Sequence, residues 1–369
     1  METFLISRRR FSKSVVAGTI LGASCHAASG DLVRYAIERK PKKRVRATLS
    51  YTVHCPNMVA SQWSVFAAIA PNFPGQDTTR TQMTPQPTEQ RDKSPENREI
   101  IGLVTPATLT TLPVTITYEA TLYSRILKTL GPDESAPPVV PLRPLDQKNY
   151  LASRGDIDHT SAAFSAWLAK NKLKRDKGES DLDFARRAYL FLKNQFEYDY
   201  KPLASRITTF VIKAGKTDCG GLSILFTATM RANNIPARVL YGRWAVSAKP
   251  NSKLGGTPYY QWHVKCECFI QDVGWLPVDL SGAVEFDKKA PQSLAYFGND
   301  PGTFLTFHFD PNLTIDSGLY GLKPVHNLQY PMWWWTGKGS ADQKRILEDW
   351  QVVELPLEPA AKSREKGSP

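Results

Sequence analysis

The hydrophobic period of this chain changes from that of strands to that of helices and back, and that alternation limits the fold more than any other feature. In "LPVTITYEATLY", Val114, Ile116, Tyr118, Ala120 and Leu122 alternate with Thr115, Thr117, Glu119 and Thr121, the pattern of a strand with one buried face. "RATLSYTVHC", "WSVFAAIAP" and "IIGLVTP" read the same way, and the turn-rich "PNFPGQDTTRTQMTPQPTEQRDKSPENRE" separates two of them. A small β-sandwich domain over 46–127 is expected, followed by a Pro-rich linker over 128–150 that contains "GPDESAPPVVPLRPLDQ". From about residue 158 the period becomes helical: Ala163, Phe164, Trp167 and Leu168, then Phe184, Ala188, Phe191, Leu192 and Phe196. Ser180 with Asp183 is a capping pattern for the second helix. Another helix begins at Cys219 in "CGGLSILFTATMRANN" and is ended by "IPA". Strands follow in "ARVLYGRWAV", "QWHVKCECFI", "GWLPVDLSG" and "TFLTFHFD", so 151–320 reads as an α+β domain. The extension over 321–369 reads as irregular, with Trp333, Trp334 and Trp335 packed over a domain edge.

The first 28 residues have the layout of an export signal: Arg8, Arg9 and Arg10, an apolar segment from Val15 to Leu21, then small residues. "SRRRFSK" resembles the bacterial twin-arginine consensus; an ordinary secretory signal is the alternative. Gly22 stands where a lipid-anchored chain would carry leucine before Cys25, which weighs against an anchor. The formal charge of +12 loses four positive groups and one negative with that segment, leaving about +9. Part of the excess lies in "ERKPKKRVR", residues 38–46, read as a solvated flexible arm. No nucleic-acid module accompanies it, and no run is apolar and long enough to span a membrane once the signal is removed.

Cys55, Cys219, Cys266 and Cys268 remain after the signal, too few for a disulfide scaffold but enough for one or two bridges. Cys219 stands at a helix start, where the helix field favours a thiolate and free N–H groups can hold an oxyanion. Gly220 and Gly221 leave room there for a substrate backbone. His263 lies in the strand "YYQWHVKCECFI", and Asp279 follows "QDVG", a hairpin turn signal, on the returning strand. Their even separation puts them on one face, where the carboxylate can orient the ring. By strand parity Cys266 and Cys268 share the opposite face with Val264 and Ile270 and read as core. His308 reads as structural. The Cys-x-Cys pair has no partner at metal-ligand spacing, and no acidic cluster resembles a calcium loop, so no metal or other cofactor is expected. A disulfide between Cys219 and Cys55 stays open at this level.

"TDCGGLSILFTATMRANNIPARVLYG" with "WHVKCECFIQDVGWLPVDLSG" resembles the bacterial transglutaminase-like core family, a papain-related group of Cys-His-Asp enzymes. "DFARRAYLFLKNQFEYDY" and "AYFGNDPGTFLTF" resemble its preceding helix and last strands. The resemblance covers roughly residues 150 to 310 and implies a papain-like core, with helices packed on an antiparallel sheet. It also implies Cys219 as nucleophile, His263 as base and Asp279 as orienting carboxylate. Lys265 stands where the family often has tryptophan, and Leu280 and Ser281 where it often has proline and threonine. Asp218 matches the family and reads as a helix N-cap.

The expected chemistry is acyl transfer at amide bonds through a thioester, to water or to an amine. The expected partner is a protein or peptide substrate of the bacterial envelope, met in the periplasm or outside the cell. A noncatalytic module that binds an exported peptide or polymer is the alternative.

Overall fold

The computed structural model describes residues 33–91, 99–106 and 110–357. The export-signal reading and Cys25 lie outside them. The first strands are β1 (Tyr35–His54), β2 (Met58–Ala68), β3 (Gln76–Thr84), β4 (Glu89–Arg91), β5 (Ile100–Pro106) and β6 (Thr111–Thr129). Alternation in β6 does what its sequence implies: Val114, Ile116, Tyr118, Ala120 and Leu122 are all buried.

The basic run is not an arm. It lies within β1, antiparallel to β6, with a bulge between Pro41 and Lys43 that accommodates the missing proline donor. Side-chain pairing makes this strand tolerable for so many cations. Arg39 contacts Asp77 at 3.0 Å and lies 3.2 Å from the Tyr123 ring centre, and Arg46 donates to Glu119 at 2.9 Å.

The second part of the chain runs α1 (Pro144–Leu151), α2 (Ala162–Lys170), α3 (Asp181–Gln195), β7 (Glu197–Tyr198), α4 (Thr208–Ala214), β8 (Lys216–Thr217) and α5 (Cys219–Arg231). It continues through β9 (Ala237–Trp244), β10 (Lys253–Leu254), β11 (Thr257–Pro258), β12 (Trp262–Ile270), β13 (Gly274–Val278), α6 (Leu280–Phe286), β14 (Asn299–Asp300) and β15 (Phe304–Phe309). Ser180 caps α3 by accepting from the Asp183 N–H, as its spacing implies. Strands β13, β12, β9 and β15 form one antiparallel sheet in that order. Its face with Val239, Tyr241, Val264, Cys266 and Cys268 packs on Leu222, Leu225 and Phe226 of α5, and on α3 and α6.

The other face carries charge. Arg125 of β6 donates to Glu267 at 2.6 Å and to Asp300 at 3.0 Å, and Arg238 donates to the same Glu267 at 2.7 Å. All four residues are buried. Paired in this way, the ions avoid the large cost of isolated buried charge and tie β6 to the sheet.

The tail is also ordered into strands. After β16 (Leu313–Asp316) and β17 (Leu322–Val325), β18 (Met332–Gly339) pairs with β2 and β19 (Arg345–Leu355) with β1. One sandwich sheet is thus β14-β6-β1-β19 with β3 on β6, and the other is β18-β2-β5-β4. Trp333, Trp334 and Trp335 pack on the sandwich core, while Trp350 is wholly buried within it. The expectation of an irregular extension therefore fails over β18 and β19. Backbone pairing with distant strands, not local periodicity, orders them. The fold is α+β, with a strand-rich N-terminal region ahead of the helical core.

Candidate active site

Residues Asp218 to Gly221 set the geometry of the site. Asp218 is the N-cap of α5 and accepts from the Gly221 N–H at 3.0 Å, which leaves Cys219 at the first helical position. The same carboxylate holds Arg206 through its Nε at 2.9 and 3.0 Å and through Nη2. Arg206 lies in the loop before α4, and no motif in the sequence points to it. It neutralises the aspartate that would otherwise face the thiol alone.

The two glycines serve packing first. A Cβ on Gly221 would lie 2.0 Å from Thr217 Oγ1, and one on Gly220 2.9 Å from Arg206 Cδ. Gly221 therefore lets α5 seat on β8. The space expected there for a substrate is filled by Thr217, whereas Gly220 does line the cleft.

Cys219 is half-buried; Cys55, Cys266 and Cys268 are fully buried, and none of the four carries a disulfide. Cys55 sits in the sandwich core and Cys219 against the helical core, so the bridge left open by the sequence does not form. Val264, the residue after His263, lines the same cleft as Cys219. Burial pushes the thiol well above its ordinary range; the Asp218 charge adds to this, while Arg206 opposes it. The expected lowering of the thiol by the helix start is thus outweighed by desolvation.

His263 and Asp279 meet directly, with Nε2 2.9 Å from Oδ2. The hairpin register pairs Cys266 with Val278, so Asp279 stands just beyond the ladder and reaches His263 diagonally rather than from the position opposite. Asp279 also caps α6, accepting from the Gly282 N–H at 2.9 Å and the Ser281 hydroxyl at 3.0 Å. Burial opposes its charge, but His263, Lys265 and the Gly282 N–H together hold the carboxyl well below the usual range. An ionised Asp279 requires the proton on His263 Nε2 and leaves Nδ1 as the acceptor nitrogen.

The ring of His263 is also fixed by packing. Trp244 stacks on it at 4.4 Å between centres, and Phe304 meets it edge-on at 5.8 Å. Lys265 Nζ lies 4.8 Å from the Trp244 ring centre and 5.2 Å from that of Phe304.

The remaining histidines are held in other roles. His308 accepts from the Leu328 N–H through Nε2 at 2.9 Å, His326 pairs with Asp156 at 3.3 Å, and His54 contacts Thr111 at 2.8 Å. Burial, with Arg231 nearby, pulls His159 down to about 4. A cleft of about 610 Å³ opens onto Cys219 and Gly220. Another cavity, of about 640 Å³, is lined by Arg238 and Trp275 on the far face of the sheet, and no cysteine lines it. Among the described residues no group of His, Cys, Asp and Glu is arranged to hold a metal ion, and no helix is long and apolar enough to cross a membrane.

Residues 169–280 match the transglutaminase-like superfamily model. No curated protein matches the sequence. Among solved structures, a candidate cysteine protease from Cytophaga hutchinsonii superposes with a TM-score of 0.52 at 14% identity, over 88% of this chain and 94% of that one. The periplasmic domain of TgpA from Pseudomonas aeruginosa gives 0.35 at 15% identity, over 66% of this chain and 91% of that one. Red sea bream transglutaminase gives 0.27 at 11% identity, over 76% and 60%. Residues 169–280 are thus similar to the transglutaminase-like superfamily, within a fold shared with the first of these structures.

Proposed function

We propose that the protein is a cysteine-dependent acyl-transfer enzyme acting on carboxamide or peptide bonds, with Cys219 as nucleophile, His263 as base and Asp279 as orienting carboxylate. The observation that carries this reading is the 2.9 Å His263–Asp279 bond on the strand whose next residue, Val264, lines the cleft together with Cys219. Because the resting thiol is raised, the proton leaves as attack proceeds: Sγ forms a bond to the substrate carbonyl carbon and His263 Nδ1 takes the thiol proton. Asp279 stabilises the resulting imidazolium.

The N–H groups of Cys219 and Gly220 have no partner among the described residues, and the Gly221 N–H is spent on Asp218. The first two are suited to the oxyanion of the tetrahedral intermediate. Collapse of that intermediate passes the proton from His263 to the departing amine and leaves a thioester on Cys219. Water or a second amine then takes the acyl group. The basic and apolar leader supports export and a protein or peptide substrate of the cell envelope.

Incubating envelope peptides and small amines with the protein and with Cys219→Ala, then reading products by mass, tests the reading. Hydrolysed, deamidated or crosslinked products that vanish in Cys219→Ala are expected. Replacing Asp279 by Asn, which keeps its size, lowers turnover by about 10³- to 10⁴-fold. Products that persist without Cys219 would remove it as the nucleophile, and no products at all would leave a noncatalytic peptide-binding module.

A further inference from the structure

The cleft that reaches Cys219 is as large as pockets that take whole ligands, about 610 Å³. Its walls are aromatic and come from both halves of the molecule. Tyr200, Tyr259 and Trp262 belong to the helical core; Tyr51 belongs to β1, and Tyr330 precedes β18. Tyr51 and Tyr330 fall outside the stretch matched by the superfamily model, so this part of the wall is a property of the whole chain.

Charge in the wall is already paired. Arg206 is bound by Asp218, Glu348 by the buried Arg243, and His326 contacts Asp156. A charged side chain entering here would lose water and gain no free counter-charge. A neutral ring loses nothing of that kind and gains ring contacts.

Three buried polar atoms of wall residues have no hydrogen-bond partner among the described residues: the Tyr241 hydroxyl, Trp262 Nε1 and Glu348 Oε1, the last ion-paired with Arg243. Tyr241, on β9, is 1% exposed, and its hydroxyl has no hydrogen-bond partner among the described residues. His308 stacks on the ring at 5.0 Å between centres and fixes its plane, and the charges of Arg206, Asp156 and Asp218 act on the hydroxyl. A buried hydroxyl in such a place is costly unless a ligand completes it.

Resting on the acyl-transfer reading above, we propose that this cleft takes a neutral aromatic side chain of the peptide substrate, from the residue beside the reacting carbonyl. The Tyr241 hydroxyl donates to a carbonyl oxygen of the same peptide. The selection is made by Tyr51, Tyr259 and Tyr330, and the hydrogen bond by Tyr241.

Protection of Cys219 against alkylation tests this without requiring turnover. The three other described cysteines are fully buried, so with Cys25 replaced by Ser iodoacetamide labelling of native protein reports on Cys219. N-acetyl-Phe-Gly amide and N-acetyl-Tyr-Gly amide should protect at concentrations about tenfold or more below those of the Leu, Asp and Lys analogues. Tyr330→Ala and Tyr259→Ala lie on different elements, and each should narrow that preference severalfold; thermal melts identify either one that fails to fold. Tyr241→Phe should weaken protection by every peptide about tenfold while leaving the aromatic preference in place. Equal protection by all five peptides, or a preference untouched in the folded alanine variants, overturns the pocket. Undiminished protection in Tyr241→Phe overturns the hydroxyl's role. Absence of turnover together with selective protection would count against acyl transfer and not against the pocket.

Discussion

Lys265 Nζ lies 3.4 Å from Asp300 Oδ1 and 4.0 Å from Asp279 Oδ2, which joins the carboxylate of the proposed triad to the buried ionic layer behind it. Arg125 completes the chain of charges from β6 through Asp300. Lys265 and Arg125 both help hold Asp300 below the ordinary carboxylate range against burial, and Lys265 does the same for Asp279.

Replacing Lys265 by Met should therefore destabilise the protein by about 3 kcal/mol at neutral pH, the cost of breaking a buried pair. The sign of the pH effect follows from the depressed carboxyls. Their contribution is complete above the unfolded value, 3.8 for Asp279, and is lost as pH falls from there through the lower folded value. Without Lys265 the folded values rise toward the unfolded ones, so the variant is less stable at neutral pH and loses less on acidification. Urea unfolding between about pH 2 and pH 7 measures both effects. Equal slopes in the two proteins would show that Lys265 does not act on these carboxylates.

Asp218 and Arg206 act on the thiol with opposite signs. Asp218→Asn keeps a good N-cap and removes a charge that raises the thiol, so Cys219 should be alkylated faster at a given pH. Arg206→Met removes the opposing charge and should slow alkylation. In the wild-type protein the rate should keep rising with pH through the alkaline range. A plateau already reached at neutral pH would mean that a thiolate is formed before substrate arrives.

Much of the site is legible in local pattern. The helix start at Cys219, the Ser180 cap and the burial of Cys266 and Cys268 each depend on neighbours a few residues away, and period and cap signals report such relations directly. The shared face of His263 and Asp279 follows from strand parity, but their diagonal offset depends on where the three-residue loop after Ile270 closes the ladder. The pairing of Arg206 with Asp218 and of Arg125 with Glu267, 142 residues apart, leaves no local trace because ion pairs impose no spacing. "MWWWTGKG" has neither alternation nor a helical period; it becomes a strand because β2 offers an edge.

Gly221→Ala should cost about 1–3 kcal/mol, since its methyl would collide with Thr217 Oγ1 at 2.0 Å in a tightly packed turn. Thr217→Ala removes both the hydroxyl and the methyl that stand in the way, so the double variant should recover part of the loss. A double-mutant cycle on thermal or urea stability reads the coupling. Strict additivity would mean that Gly221 is needed for another reason.

Trp350 links the last strand to the ring that steadies His263. Its indole Nε1 donates to the Trp244 backbone carbonyl at 3.0 Å, its face lies 5.2 Å from the Arg243 guanidinium, and Trp244 stacks on His263. Trp350→Phe keeps most of the apolar volume and loses the hydrogen bond, at about 1 kcal/mol. Trp350→Ala leaves a cavity in the sandwich and should cost about 3–5 kcal/mol. If β19 only stabilises the sandwich, both variants will keep the turnover of the folded wild-type protein at a temperature well below their melting points. If it also positions His263, the phenylalanine variant will lose turnover at unchanged KM while still fully folded, because only the support behind Trp244 has been removed. Loss of turnover at unchanged KM is the expected result, and unchanged turnover in both variants would sever the C-terminal strand from the chemistry.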